Sequence, residues 1–253
     1  MRGLGALLKK ELVEQLRTNR LLIVTGVFLF FGLATPLMIK YLPELLKLAG
    51  TGDMTIEVPP PTAIQAMSEY MGTMIQFGVL IAVLIAMGAV AKERESGTAA
   101  LVLSKPVTYA AFVSAKFKAL GVTALTAVFL GGLACWGYTY LLFEGAPALG
   151  FFYQNILLLL YLLLALALTI FFSSLFRSQL AAGALGLVSV IGFTLVSSLP
   201  WVGDYLPGAL VTWGNNLLTG EPGGAAWGAV AVTLVLVVLS LYLSAAVLRN
   251  KEI

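Results

Sequence analysis

The chain has 253 residues, 60% of them hydrophobic and only 11% charged, and its basic and acidic side chains leave a formal charge of +3. Soluble domains carry about 25% charged residues, so an ordinary soluble fold is excluded for most of the length. Histidine is absent and cysteine occurs once, which removes histidine general bases, haem ligation by histidine, histidine-based metal sites and any disulfide framework.

Residues 1–20 read as an amphipathic helix lying along the inner membrane surface. Leu4, Leu7, Leu8, Leu12 and Leu16 share one face, Lys9, Lys10 and Arg17 the other, and Glu11 and Gln15 intrude on the apolar side. Long stretches free of Asp, Glu, Lys and Arg follow: Leu21–Ile39, Tyr70–Ala91, Ala119–Phe143, Gly145–Phe176, Ser178–Gly203 and Pro222–Leu248. Each exceeds the roughly 18 apolar residues that a helix needs to cross the hydrocarbon core. Their Leu, Ala and Val content points to helices, not barrel strands, because backbone groups in lipid must be paired within the segment. Spans are predicted over 21–40, 70–91, 112–143, 151–172, 178–200 and 224–248, with an outer loop over 41–69 stiffened by Pro59, Pro60 and Pro61. About twenty residues precede the first apolar run and no Ala-x-Ala site follows it, so this run is expected to be a retained span. Short interfacial helices are expected before the last span, where Trp201, Tyr205, Trp213 and Trp227 alternate with Pro200, Pro207 and Pro222. The predicted fold is an all-α integral membrane protein, one domain of six transmembrane helices.

Basic residues orient it. Thirteen fall on the side of the termini (Arg2, Lys9, Lys10, Arg17, Arg20, Lys92, Arg94, Lys105, Lys116, Lys118, Arg177, Arg249, Lys251), against Lys40 and Lys47 opposite. Under the positive-inside rule both termini are then cytosolic. The net positive charge is a consequence of that orientation and forms no nucleic-acid patch.

No Gly-x-x-x-x-Gly-Lys-Ser/Thr run occurs, so the chain carries no phosphate-binding loop of its own. Asp53 and Asp204 are the only aspartates, both in outer loops, which rules out paired intramembrane aspartates. No catalytic residue, metal-ligand set or cofactor site is predicted. Ion coupling usually leaves an ionisable group within a span, and the charge-free stretches hold only mild polarity: Thr25, Thr73, Gln76, Thr123, Thr126, Thr169, Ser173 and Ser189. Most such hydroxyls bond back to their own helix. Gln76, the bulkiest polar group of span two, and Thr73 beside it are the candidates for lining a path. Ser178, Ala182 and Gly186 recur every fourth residue, a spacing that lets helices approach closely, either between two copies or within one. Arg177 reads as a topological anchor.

The charged segment between spans two and three, 92–106, stands apart. Lys92, Glu93, Arg94 and Glu95 leave the membrane, Ser96 and Thr98 are placed to cap a short helix, Leu101 and Leu103 lie along its body, and Pro106 ends it. Such a helix can seat in a groove on a soluble partner. The run AKERESGTAALVLSKPV followed by FVSAKF resembles the cytosolic segment of the type-2 ABC exporter permeases. The N-terminal KKELVEQLRTNRLL is similar to that family's opening helix.

The resemblance implies a division of labour. Two separate cytosolic ABC ATPase subunits would bind ATP and Mg and push on this segment. A second permease chain, identical or paralogous, would complete the path within a prokaryotic cytoplasmic membrane. Glu93, Arg94, Glu95, Ser96, Gly97 and Thr98 match the family's segment, with mechanical coupling as their implied role. Two other readings stay open at this point: an ATPase-linked membrane protein that transmits force or signal without transport, and a self-contained channel or carrier.

Overall fold

The computed structural model describes residues 3–49, 60–98, 107–143, 145–199 and 201–250. Among them it is all-helical, and six helices are long and apolar enough to cross a membrane.

The amphipathic N-terminus forms α1 (Leu4–Arg17). Thr18 closes it, its hydroxyl bonding Glu14 O at 2.7 Å, and Asn19 at φ 55° turns the chain into α2 (Arg20–Ala49). Asparagine tolerates this left-handed region better than most side chains. The first span was expected to end near residue 40, yet α2 runs on through Pro36 and Pro43 to Ala49. A proline removes one backbone donor, but a helix surrounded by lipid or by neighbouring helices has no better alternative than to continue past it.

Likewise α3 (Ala63–Ala86) begins seven residues before the predicted span. Thr62 caps it, accepting from Gln65 N–H at 3.2 Å. The described parts of the 41–69 stretch, 41–49 and 60–69, are therefore largely helical, and Pro59 lies outside the described residues. After α3 come α4 (Ala91–Glu95), α5 (Tyr109–Leu142), α6 (Ala148–Leu175) and α7 (Gln179–Val196). A 3-10 turn (Gly203–Tyr205) and α8 (Ala209–Thr219) supply the short helices expected before the last span, α9 (Trp227–Asn250).

Two packing centres hold the bundle. In the first, α2 lies against α5 more extensively than any other pair packs. Glycine permits it: a Cβ on Gly32 would sit 2.5 Å from Gly131 O, and one on Gly131 would meet the Tyr70 hydroxyl at 2.8 Å. Tyr70 and Phe28 fill the space around this crossing and are fully buried. The second is α6, apolar on all sides and the most buried span, which touches α3, α5, α7, α8 and α9. A helix hydrophobic all round belongs at the centre of a bundle, and its Leu-Ala run supplies that.

Candidate coupling site

Span two does not run unbroken into the charged segment. α3 ends at Ala86, residues 87–90 form a turn, and α4 resumes at Ala91. Through the turn, Met87 N–H reaches Val83 O at 2.8 Å and Ala89 N–H folds back on Ala86 O at 2.9 Å. Val90 and Ala91 N–H both donate to the Ser173 hydroxyl of α6, at 3.0 and 2.9 Å, and that hydroxyl donates to Met87 O at 2.8 Å.

Charge braces α4 from both flanks. On one, Glu93 Oε1 accepts from Lys116 Nζ at 2.7 Å and from Lys10 Nζ at 3.1 Å. Glu11 Oε1 accepts from the same two ammoniums, each at 3.1 Å. Lys116 is 3% exposed and its ammonium also lies 4.9 Å above the Phe112 ring. One turn along α1, Gln15 is buried as well, its amide oxygen accepting from Thr123 of α5 at 3.3 Å. Glu11 and Gln15, the apparent defects in the apolar face of α1, are thus its attachment points to α5. Burial alone would lower the Lys10 ammonium, but the Glu11 and Glu93 carboxylates outweigh it and hold Lys10 above its ordinary value. The carboxylates of Glu11, Glu14 and Glu93 converge within 4.8 Å, and Lys10 and Lys116 supply the counter-charge between them. On the other flank, Arg94 Nη1 donates to Ser174 O at 2.8 Å and Gln179 Nε2 approaches Glu95 Oε2 at 3.5 Å.

The predicted coupling residues therefore divide. Glu93 and Arg94 are half-buried and point into the bundle, whereas Lys92, Glu95, Ser96, Gly97 and Thr98 are exposed. Gly97, at φ 70°, turns the chain after α4, and the hydroxyls of Ser96 and Thr98 lie 2.9 Å apart and fold back towards Glu93 O. Leu101 and Leu103 lie outside the described residues. Beside α4, a cleft of about 800 Å³ is lined by Met87, Arg94, Glu95, Arg177, Gln179 and Leu180. Arg177 is thus part of the same surface, a position its isolation in the sequence did not reveal.

Other candidate residues sit elsewhere. Gln76 is exposed on α3, and Thr73 is half-buried with its hydroxyl on Glu69 O at 2.9 Å. Gln65, Glu69, Gly72 and Gln76 follow one another along an exposed edge of α3. Ser178 caps α7, accepting from Ala181 N–H at 3.4 Å. Ala182 is buried, and a Cβ on Gly186 would meet Thr169 Oγ1 of α6 at 2.5 Å. Ala182 and Gly186 thus face the interior of their own protomer, and the opposite edge of α7, with Leu180, Val188, Ile191 and Leu195, is exposed.

Comparison with known proteins agrees with this architecture. The chain is 29% identical over 222 residues to the uncharacterized transmembrane protein YxlG of Bacillus subtilis (strain 168), a match covering 86% of each. Residues 5–203, which take in α1, the braced segment and the first five spans, match the family model described as ABC-2 family transporter protein. The chain belongs to the ABC-2 family of transporter proteins.

Proposed function

We propose that this chain is the membrane subunit of an ATP-driven exporter, worked from the cytosol by separate ATPase subunits that seat on the 91–98 segment. The observation that carries the reading is the braced segment. A largely buried ion pair to Lys116, a more exposed one to Lys10 and a buried hydroxyl hold α4 against three other helices, α5, α1 and α6, while Lys92, Glu95, Ser96, Gly97 and Thr98 remain exposed. A surface that is fixed from behind and polar in front suits a handle that transmits force. The adjoining cleft with Arg94, Arg177 and Glu95 offers charge for a partner's side chains to meet. Basic residues concentrate at this end of the bundle, which supports its cytosolic placement and that of both termini.

Two permease chains, identical or paralogous, would enclose the path. The polar edge of α3 supports this, because Gln76 and Glu69 exposed to lipid would be costly and would be better placed against water or a second chain. ATP and Mg would be held by the partner. The test is co-purification with a P-loop ATPase from the native membrane, followed by ATP-driven transport in vesicles. Lys92→Ala with Glu95→Ala, both exposed, should reduce ATPase retention at least about tenfold without altering the melting temperature. Full retention would sink the docking assignment.

A further inference from the structure

A serine within a membrane helix ordinarily bonds back to a carbonyl of its own preceding turn. Thr169 does so with Ala165 O at 2.8 Å, and Ser174 with Phe171 O at 2.7 Å. Ser173 lies between them in sequence, is fully buried, and its three hydrogen bonds to Met87, Val90 and Ala91 all cross to the other chain segment. In an unbroken helix Ala91 N–H would donate to Met87 O, and Val90 N–H to Ala86 O. The Ser173 hydroxyl is inserted into the first of these pairs, accepting from Ala91 N–H and donating its own O–H to Met87 O. It also accepts from Val90, while Ala86 O is met by Ala89 instead. A hydroxyl has one proton and two lone pairs, so Ser173 is saturated by the break in span two. A side chain inserted into the helical ladder is a recognised cause of a sharp break. Away from water, the freed backbone donors would otherwise be left without a partner.

Neighbouring residues fit the same arrangement. A Cβ on Gly88 would come within 2.7 Å of Gln179 Oε1, and one on Gly183 within 3.1 Å of Met87 Sδ, so the turn is seated tightly on the start of α7. Directly after Ser173, the Ser174 carbonyl holds Arg94. The segment is therefore fastened to α6 at two successive residues, and its continuity with α3 is interrupted.

We propose that Ser173 is the pin of a hinge, a positioning residue that fastens the 91–98 segment to span four. Force on the segment then enters the membrane through α6, beside the Lys116 contact on α5, and not up the axis of span two alone. Because α6 touches α3, α5, α7, α8 and α9, displacement of its end reaches most of the bundle at once. The hinge stands on this geometry alone, whereas its use in transport rests on the coupling reading above.

Hydrogen–deuterium exchange on the chain in lipid nanodiscs tests the pin. In Ser173→Ala, amides over 87–91 should exchange about tenfold faster, as loss of about 1.4 kcal/mol of hydrogen bonding implies. Peptides from α9 should be unchanged, and Ser173→Thr should restore protection. Wild-type exchange over 87–91 in Ser173→Ala would overturn the proposal. Should that variant fail to fold, Ser173→Cys, which keeps a weak donor and acceptor, is read in its place against the same criterion. In the complex, Ser173→Ala should retain the ATPase but lose ATP-driven transport several-fold, with Ser173→Thr active. Undiminished transport would overturn the load path. If no ATPase joins the wild-type chain, the coupling reading and the load path fail together, while the exchange measurement still decides the hinge.

Discussion

Lys116 shows how a single buried charge can fasten two elements. Its ammonium reaches Glu11 and Glu93 at 3.1 and 2.7 Å, and its side chain is almost wholly enclosed. Lys116→Met would leave the Glu11 and Glu93 carboxylates to share the half-exposed Lys10 alone, so it should destabilise the chain by about 3 kcal/mol, the low end for breaking a buried pair, read as a fall in melting temperature and faster proteolysis of α1. In a double-mutant cycle with Glu11→Gln the two losses should not add, differing from additivity by more than about 0.5 kcal/mol. Asn19 makes a conformational contribution instead: at φ 55°, Asn19→Val should cost about 1–2 kcal/mol while Asn19→Gly is nearly neutral. Titration follows from the raised Lys10 ammonium. Its folded value lies above its unfolded one, so its contribution to docking α1 is fully present below the ordinary lysine value and is lost only as pH rises past it. Proteolytic protection of α1 should accordingly hold from neutral pH into the alkaline range.

At the scale of elements, the α2–α5 crossing depends on the absence of two side chains. Gly32→Ala would push a methyl group onto the Gly131 carbonyl, and overpacking of this kind costs about 1–3 kcal/mol. Gly137, on the same α5, has open space where its Cβ would be, so Gly137→Ala should instead be neutral or stabilising by up to about 1 kcal/mol. Thermal melts of the two variants, measured side by side in one detergent, separate close packing from helix propensity. The small residues of α7 follow the same logic. Met87 and Thr169 of the same chain pack against Gly183 and Gly186, and the broader apolar edge of α7, with Leu180, Val188, Ile191 and Leu195, is left exposed.

For the whole molecule, the polar edge of α3 supports the proposed path. Gln76→Cys should react with a charged, membrane-impermeant thiol reagent, since Gln76 is exposed while the native Cys135 is buried. Reaction only with a lipid-soluble reagent would place this edge against hydrocarbon. The spans themselves were legible because a charge-free run long enough to cross lipid has few other uses. Their ends were less so: α2 passes two prolines and α3 starts early, since helices persist into loops wherever tertiary contacts or capping favour them. Of the candidate site, the chemical character of residues 92–98 was readable from their charge, but which of them face inward was not.

Composition and order along the chain by themselves determined an all-helical membrane protein of six spans with one charged segment set apart, because burial in hydrocarbon constrains every residue of a span in the same way. Only the tertiary structure decided that Glu11 and Gln15 are fastenings, that Lys116 joins two carboxylates, and that Ser173 closes a break in another helix. Apart from Lys116 with Glu93, 23 positions apart, these pairings join residues 86, 105 and 108 positions apart. A hydrogen bond reads distance in space, and no periodicity along a single helix records which partner will be there to meet it.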